Sequence, residues 1–310
     1  VVELADIGTL VPGGNAVLVQ TQPSRFLKER DSMLKKELQV SVPVVKCINN
    51  CKFCVAKMHS NPYESRWGLN VDDWFGKDYK RRMSFARDIG CNVLVLTGIG
   101  EPLQNRGFLT IIMEINDLLH SPFSWVELQT TGVLLNREML YWLRKINVSV
   151  IRLSISDLFD EGRNQEIVGI PKKLRFDKIE SLCYAIKEQG FNLQLDLNLT
   201  YTFDSYSVKQ ILAKCKELGA DTVLFRELYS DSGKNHTKQG IWVAKNSIDN
   251  DTLSAIDTFI FESKRAGINS DIRFDQNCME PEEEGKLKRL ILQVDGRLYK
   301  RWEDPKSLIF

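Results

Sequence analysis

From residue 40 onward, short runs of β-branched residues and leucine alternate with stretches whose apolar residues recur at helical spacing. Residues 42–46 read as a first strand, and 72–89 as a helix with Trp74, Phe75, Met83, Phe85 and Ala86 set among charges. Residues 92–97 are a continuous apolar run, as expected of a strand buried on both faces. The pattern then repeats as helix 108–119, strand 125–130, helix 137–145 and strand 149–156. Helix 177–189 ends at Gly190 and is followed by strand 191–201. Helix 208–218 ends at Gly219 and is followed by strand 222–227. Parallel neighbours need long crossovers, so six strands separated by helices predict a parallel sheet. The expected fold class is α/β: a partial (β/α)6 TIM-like barrel with an N-terminal extension and a small C-terminal α+β cap.

The expected divisions are an extension over residues 1–39, a barrel core over 40–229 and a cap over 230–310. The extension carries a charged stretch at 28–36. The cap reads as a polar loop (230–239), a helix near 251–265, an acidic loop (280–284) and a hairpin over 290–302. Asp295-Gly296 supplies the hairpin's turn.

Composition narrows the function classes. The 310 residues carry 42 basic and 41 acidic side chains, a net charge of +1, so no global field would gather nucleic acid or anionic membrane. No apolar run approaches the ~20 residues of a membrane helix, and the first residues lack a basic flank or a secretory core. Seven cysteines is an odd number, and three are crowded too tightly for a disulfide framework. Free thiolates point to a reducing, cytoplasmic compartment.

Those three, Cys47, Cys51 and Cys54, stand in a C-x3-C-x2-C spacing directly after the first predicted strand. Chemistry in parallel barrels gathers at the C-terminal strand ends, so the loop falls on the functional side. Closed structural metal sites usually take four protein ligands, so three point to a metal centre with one position left for chemistry. The alternative is a non-catalytic zinc module of Cys3His type, with His59 as fourth ligand. A second motif, Thr97-Gly98-Ile99-Gly100-Glu101-Pro102, closes the second predicted strand. Its glycines suit a sharp turn and close approach of the backbone to a ligand. Cys91, Cys183 and Cys215 sit in or beside predicted elements, where buried thiols are ordinary packing.

Together the cysteine spacing, the glycine motif one βα unit later and the βα order resemble the radical S-adenosylmethionine (radical SAM) superfamily, over residues 40–227. The resemblance implies that Cys47, Cys51 and Cys54 hold a 4Fe-4S cluster whose fourth iron chelates S-adenosyl-L-methionine. One electron from the cluster then yields a 5′-deoxyadenosyl radical, which abstracts hydrogen from a substrate. It further implies that Phe53 faces the adenine and that Gly98, Gly100 and Glu101 meet the amino group. Gln129, Ser154, Ser156, Asn198 and Arg226 would complete the pocket. Arg226 equally suits an ion pair with Glu227 or Asp196. Cys278 is a candidate hydrogen donor, with an inert thiol as the alternative.

Many relatives carry a D-G-x-x-Y-x-C hairpin that opens an auxiliary-cluster domain. Here Arg301 stands in the place of that cysteine and none follows, so a single-cluster enzyme with a cluster-free remnant of that domain is expected. The implied partners are a flavodoxin- or ferredoxin-type one-electron reductant and a substrate. Near-neutral charge favours a small substrate such as a nucleotide, nucleoside or sugar, with a ribosomally made peptide as the alternative. Lys172, Lys173, Arg175, Lys234 and Lys238 near the predicted mouth suit phosphates or a solvated face.

Overall fold

The computed structural model describes residues 36–59, 63, 74–174, 178–230, 237–265, 272–275, 288–302 and 304–310. All belong to one compact unit, Lys35–Phe310. Residues 1–35 of the predicted extension, Arg175, Lys234, His236, the 280–284 loop and Cys278 lie outside the described residues.

Among the described residues, nine strands form a single sheet in the order β7-β6-β5-β4-β3-β2-β1-β8-β9. They are β1 (Glu37–Ser41), β2 (Val93–Thr97), β3 (Val126–Thr130), β4 (Val150–Ile155), β5 (Asn192–Asn198), β6 (Thr222–Arg226), β7 (Ile272–Asp275), β8 (Arg289–Leu292) and β9 (Leu298–Tyr299). Every pairing from β7 through β1 to β8 is parallel, and β8–β9 is antiparallel. The sheet is an open barrel, as expected, with two parallel strands (β7 and β8) beyond the predicted six. The predicted hairpin is β8–β9, and Gly296 takes the positive φ of its turn (76°).

The described helices are α1 (Trp74–Asp88), α2 (Arg106–Asp117), α3 (Arg137–Lys145), α4 (Glu161–Val168), α5 (Ile179–Glu188), α6 (Val208–Glu217), α7 (Lys238–Asn246) and α8 (Asn250–Arg265). Their starts are written locally. Asn105 and Asn136 accept from the third amide of α2 and α3, and Ser207 with Gln210 makes a capping box on α6. The main core lies between the sheet and these helices, where Leu38, Leu94, Leu128, Ile151, Leu195 and Phe225 are buried. Alternate residues of the same strands face the other side. There Val93 and Val95 are apolar, which explains the unbroken run on β2.

The first strand corrects the sequence expectation. Residues 42–46 are not a strand; β1 is Glu37–Ser41, in register from Glu37↔Val93 to Ser41↔Thr97. Pro43 has no amide hydrogen to continue the ladder, and Val45 is fully exposed. The polar Glu37 and Gln39 face the barrel interior, so β1 does not look like a buried strand. Helix α4 was also not expected, because two of its buried residues, Asn164 and Gln165, are polar. Asn164 Oδ1 accepts from the amides of Ser156 (2.8 Å) and Asp157 (3.3 Å), tying α4 to the end of β4. β7 and α7 were missed as well, both within the predicted cap.

Candidate functional site

Between β1 and the 3-10 turn Val55–Lys57 the chain has no regular structure, so the cysteine loop depends on its neighbours. On one side Gln104 brackets it: its Oε1 accepts from Ile48 N (2.7 Å) and its Nε2 donates to Lys46 O (3.0 Å). Asn105 Nδ2 donates to Pro43 O (2.8 Å). On the other side the end of α4 receives the loop. Asn50 N donates to Gly169 O (3.1 Å) and Lys52 N to Ile167 O (3.0 Å). Gly169 has φ 67°, and a Cβ there would run into the Asn50 carbonyl. Gly169→Ala is therefore expected to cost at least about 1–2 kcal/mol for the left-handed backbone alone. It should also loosen the cysteine loop, measurable as faster iron loss to a chelator than from the wild type.

The glycines after β2 serve close approach rather than turn conformation; neither has a left-handed φ. A Cβ on Gly98 would lie 2.7 Å from Val42 O and 2.9 Å from Val42 N. One on Gly100 would lie 2.9 Å from Val44 Cβ. Both let the turn after β2 pack against the irregular segment that leads from β1 to the cysteines. Glu101, 2% exposed, accepts from Thr130 Oγ1 (2.6 Å), Thr131 N (3.0 Å) and Thr131 Oγ1 (2.8 Å). Burial pushes its carboxyl above the usual range, and these donors oppose that rise.

These parts enclose a cavity of about 250 Å³ at the C-terminal ends of the strands. It is lined by Cys47, Cys51, Cys54, Phe53, Gly98, Gly100, Glu101, Gln129, Ser154, Asn198 and Arg226. Ser156 is not on that wall. It follows β4, fully buried, with its Oγ 3.4 Å from Asn198 Nδ2 and its carbonyl accepting from the hydroxyls of Thr200 and Thr202. Phe53 has its ring centroid 6.4 Å from that of Trp242 on α7. Lys172, Lys173 and Lys238 are not among the lining residues. Asn49, Val168 and Tyr229 are, though nothing in the sequence singled them out.

One layer below, the same face of the barrel carries charge. Arg152 Nη1 is 3.3 Å from Glu127 Oε2 and 3.9 Å from Glu37 Oε1, and its Nη2 is 3.2 Å from Asp196 Oδ2. Arg226 Nη2 also meets Asp196 Oδ2, at 3.0 Å, so the ion pair considered from sequence forms while Arg226 still faces the cavity. Burial alone would raise the Asp196 carboxyl, but Arg152 and Arg226 hold it below the ordinary range. Glu37 is likewise held low by Arg152 against its burial.

The thiols fit a cationic centre. Burial raises Cys51 and Cys54 above the ordinary thiol range, and the crowding of neighbouring thiolates adds to the rise. A metal cluster would supply the positive charge that lets such thiolates form. Among the described residues no three His, Cys, Asp or Glu side chains close on a point that a single metal ion would occupy. His59 packs against the Tyr229 ring (5.2 Å between centroids). Three thiols spread around one cavity suit a cluster, in which each sulfur binds its own iron.

The family model for the radical SAM superfamily matches residues 41–211, more than half of the chain, and the chain belongs to that superfamily. No curated protein matches it in sequence. Among solved structures it is similar to Streptococcus suis SuiB bound to S-adenosylmethionine, with 17% identity and TM-score 0.54. That match covers 89% of this chain and 60% of the other. SuiB bound to precursor peptide SuiA matches with 16% identity and TM-score 0.53, covering 89% and 61%. Native anSMEcpe with bound AdoMet and Kp18Cys peptide matches with 16% identity and TM-score 0.55, covering 85% and 73%. The chain thus spans about three fifths of the length of SuiB.

Proposed function

We propose that this protein is a radical SAM enzyme acting on a peptide. The observation that carries the enzymatic part is the meeting of the three thiols and the Gly98–Glu101 motif in one cavity. Cys47, Cys51 and Cys54 would hold a 4Fe-4S cluster, and Gln129, Ser154, Asn198 and Arg226 would contribute to the S-adenosyl-L-methionine pocket. When bound, these groups supply reductive cleavage of the sulfonium and a 5′-deoxyadenosyl radical that abstracts hydrogen from the substrate. The protein's own residues hold the ligand, exclude water and orient the reacting atoms. Val168, with Val133 and Ile170, packs an apolar patch against Cys51 that would limit water on that side.

The peptide part is supported by SuiB and anSMEcpe, two similar folds whose structures carry bound peptides. A small substrate is the second reading, favoured by the near-neutral charge. An external one-electron reductant completes the set, for which the exposed Lys46 and Lys57 on and beside the cysteine loop offer a basic contact.

Anaerobic reconstitution tests the chemistry. About four irons per chain are expected, with 5′-deoxyadenosine forming from S-adenosylmethionine only when dithionite is present. Colourless protein with stoichiometric zinc would overturn it. For the substrate class, genome-encoded peptides should raise 5′-deoxyadenosine formation and gain a mass change, whereas nucleosides and sugars should do neither.

A further inference from the structure

Lys57 ends the short 3-10 turn that follows the third cysteine. Its amide donates to Cys54 O at 3.0 Å, and its ammonium donates to Asn50 Oδ1. Backbone and side chain thus tie it to Cys54 and to the residue directly before Cys51. Among the described residues the ammonium meets no carboxylate, whereas Lys52 on the same loop is paired with Glu166 at 2.7 Å. Lys57 therefore brings an unbalanced positive charge to the cysteine loop and holds it by two contacts.

That charge reaches the thiols. Burial is the larger influence on Cys51 and Cys54 and raises both, and Lys57 opposes the rise at each. Cys51 also packs against Val133, Val168 and Ile170. Apolar neighbours weaken dielectric screening, so one charge placed beside such a thiolate counts for more than it would in water.

Resting on the reading of the three thiols as cluster ligands, we propose that Lys57 raises the reduction potential of the cluster and that Asn50 is the positioning residue that holds its ammonium in place. Reduction adds one negative charge to an assembly that already carries three thiolates. A cation fixed beside it stabilises the reduced form more than the oxidised one, so the potential rises. The charge thereby eases entry of the electron from the one-electron reductant. A lysine that served only to dock that reductant would leave the potential where it is, so the potential separates the two roles.

The test is a redox titration with small-molecule mediators, followed by the paramagnetic resonance signal of the reduced cluster. It uses cluster-loaded wild type, Lys57→Gln, Lys57→Arg and Asn50→Ala of equal iron content, without S-adenosylmethionine. At a fixed applied potential, Lys57→Gln should move the ratio of reduced to oxidised cluster about three- to tenfold towards the oxidised form, roughly 30–60 mV for a one-electron couple. Lys57→Arg should stay close to the wild type. Asn50→Ala removes no charge but releases the ammonium, and should shift the potential in the same direction by a smaller amount. High salt should narrow the gap between wild type and Lys57→Gln. Asn50→Ala decides the matter should Lys57→Gln fail to load iron. An unmoved potential in Lys57→Gln or in Asn50→Ala, or an equal shift in Lys57→Arg, would overturn the assignment. Wild type that takes up no iron would instead refute the cluster reading itself.

Discussion

Replacing Cys51 by alanine is expected to bring iron content to background and 5′-deoxyadenosine below detection, with the fold retained. Cys51 is the middle of the three thiols and packs against Val168 and Ile170, so its loss removes one of three cluster ligands. The remaining two cannot hold a cluster that needs every thiolate. Alanine fills part of the same apolar patch, which is why circular dichroism and the denaturant midpoint of unloaded protein should stay close to the wild type. Cys183→Ala is the control. That thiol is buried on α5, away from the cavity, and its loss should leave iron content unchanged. If Cys51→Ala loads iron and cleaves S-adenosylmethionine normally, the proposed cluster ligands are wrong.

The second large effect lies beneath the cavity. Arg152→Met leaves Glu37, Glu127 and Asp196 close together without their central cation, and breaking such a buried network costs about 3–5 kcal/mol. The pH dependence distinguishes this from simple loss of packing. In the wild type, the Glu37 and Asp196 carboxyls are held below the ordinary range. Their contribution is therefore present above the unfolded carboxyl values and is lost as pH falls through the depressed folded values. In Arg152→Met, Glu37 loses its strongest cationic partner and burial raises its carboxyl, while Asp196 keeps Arg226 and moves less. The folded form then takes up protons on Glu37 more readily than the wild type does, so the variant loses stability relative to wild type as pH rises. The deficit against wild type should be largest at pH 7 and shrink at pH 5, as read from denaturant midpoints. A deficit equal at both pH values would show that charge is not the cause.

Much of the fold was legible because the central strands are buried on their helix-facing side by leucine, isoleucine and valine, and the crossover helices carry a matching apolar stripe. Those signals are local. β1 was misplaced because its interior-facing Glu37 and Gln39 take part in a charged and hydrogen-bonded layer assembled from several strands, while the apolar 42–45 segment turned out to be loop. Helix α4 was hidden for a similar reason: its buried asparagine serves the end of β4, a contact far from any helical pattern. Within the site, Gly98 and Gly100 were recognised by spacing, but their reason, the backbone of Val42 and the side chain of Val44, appears only in three dimensions. Asn49 carries no signal in one dimension, since the hydrogen bond that places it in the cavity wall goes to Thr131, 82 residues away.

The chain's own order of residues determined the donor set and the side of the sheet on which it lies. Three thiols in eight positions and the alternation of strand and helix are properties of neighbouring residues. Which polar groups face the cavity, which are consumed by one another and which remain to meet a ligand were decided by tertiary packing alone. Hydrogen-bond partners and charge neighbours are set by distance in space, and the residues that make them here come from strands and loops far apart along the chain.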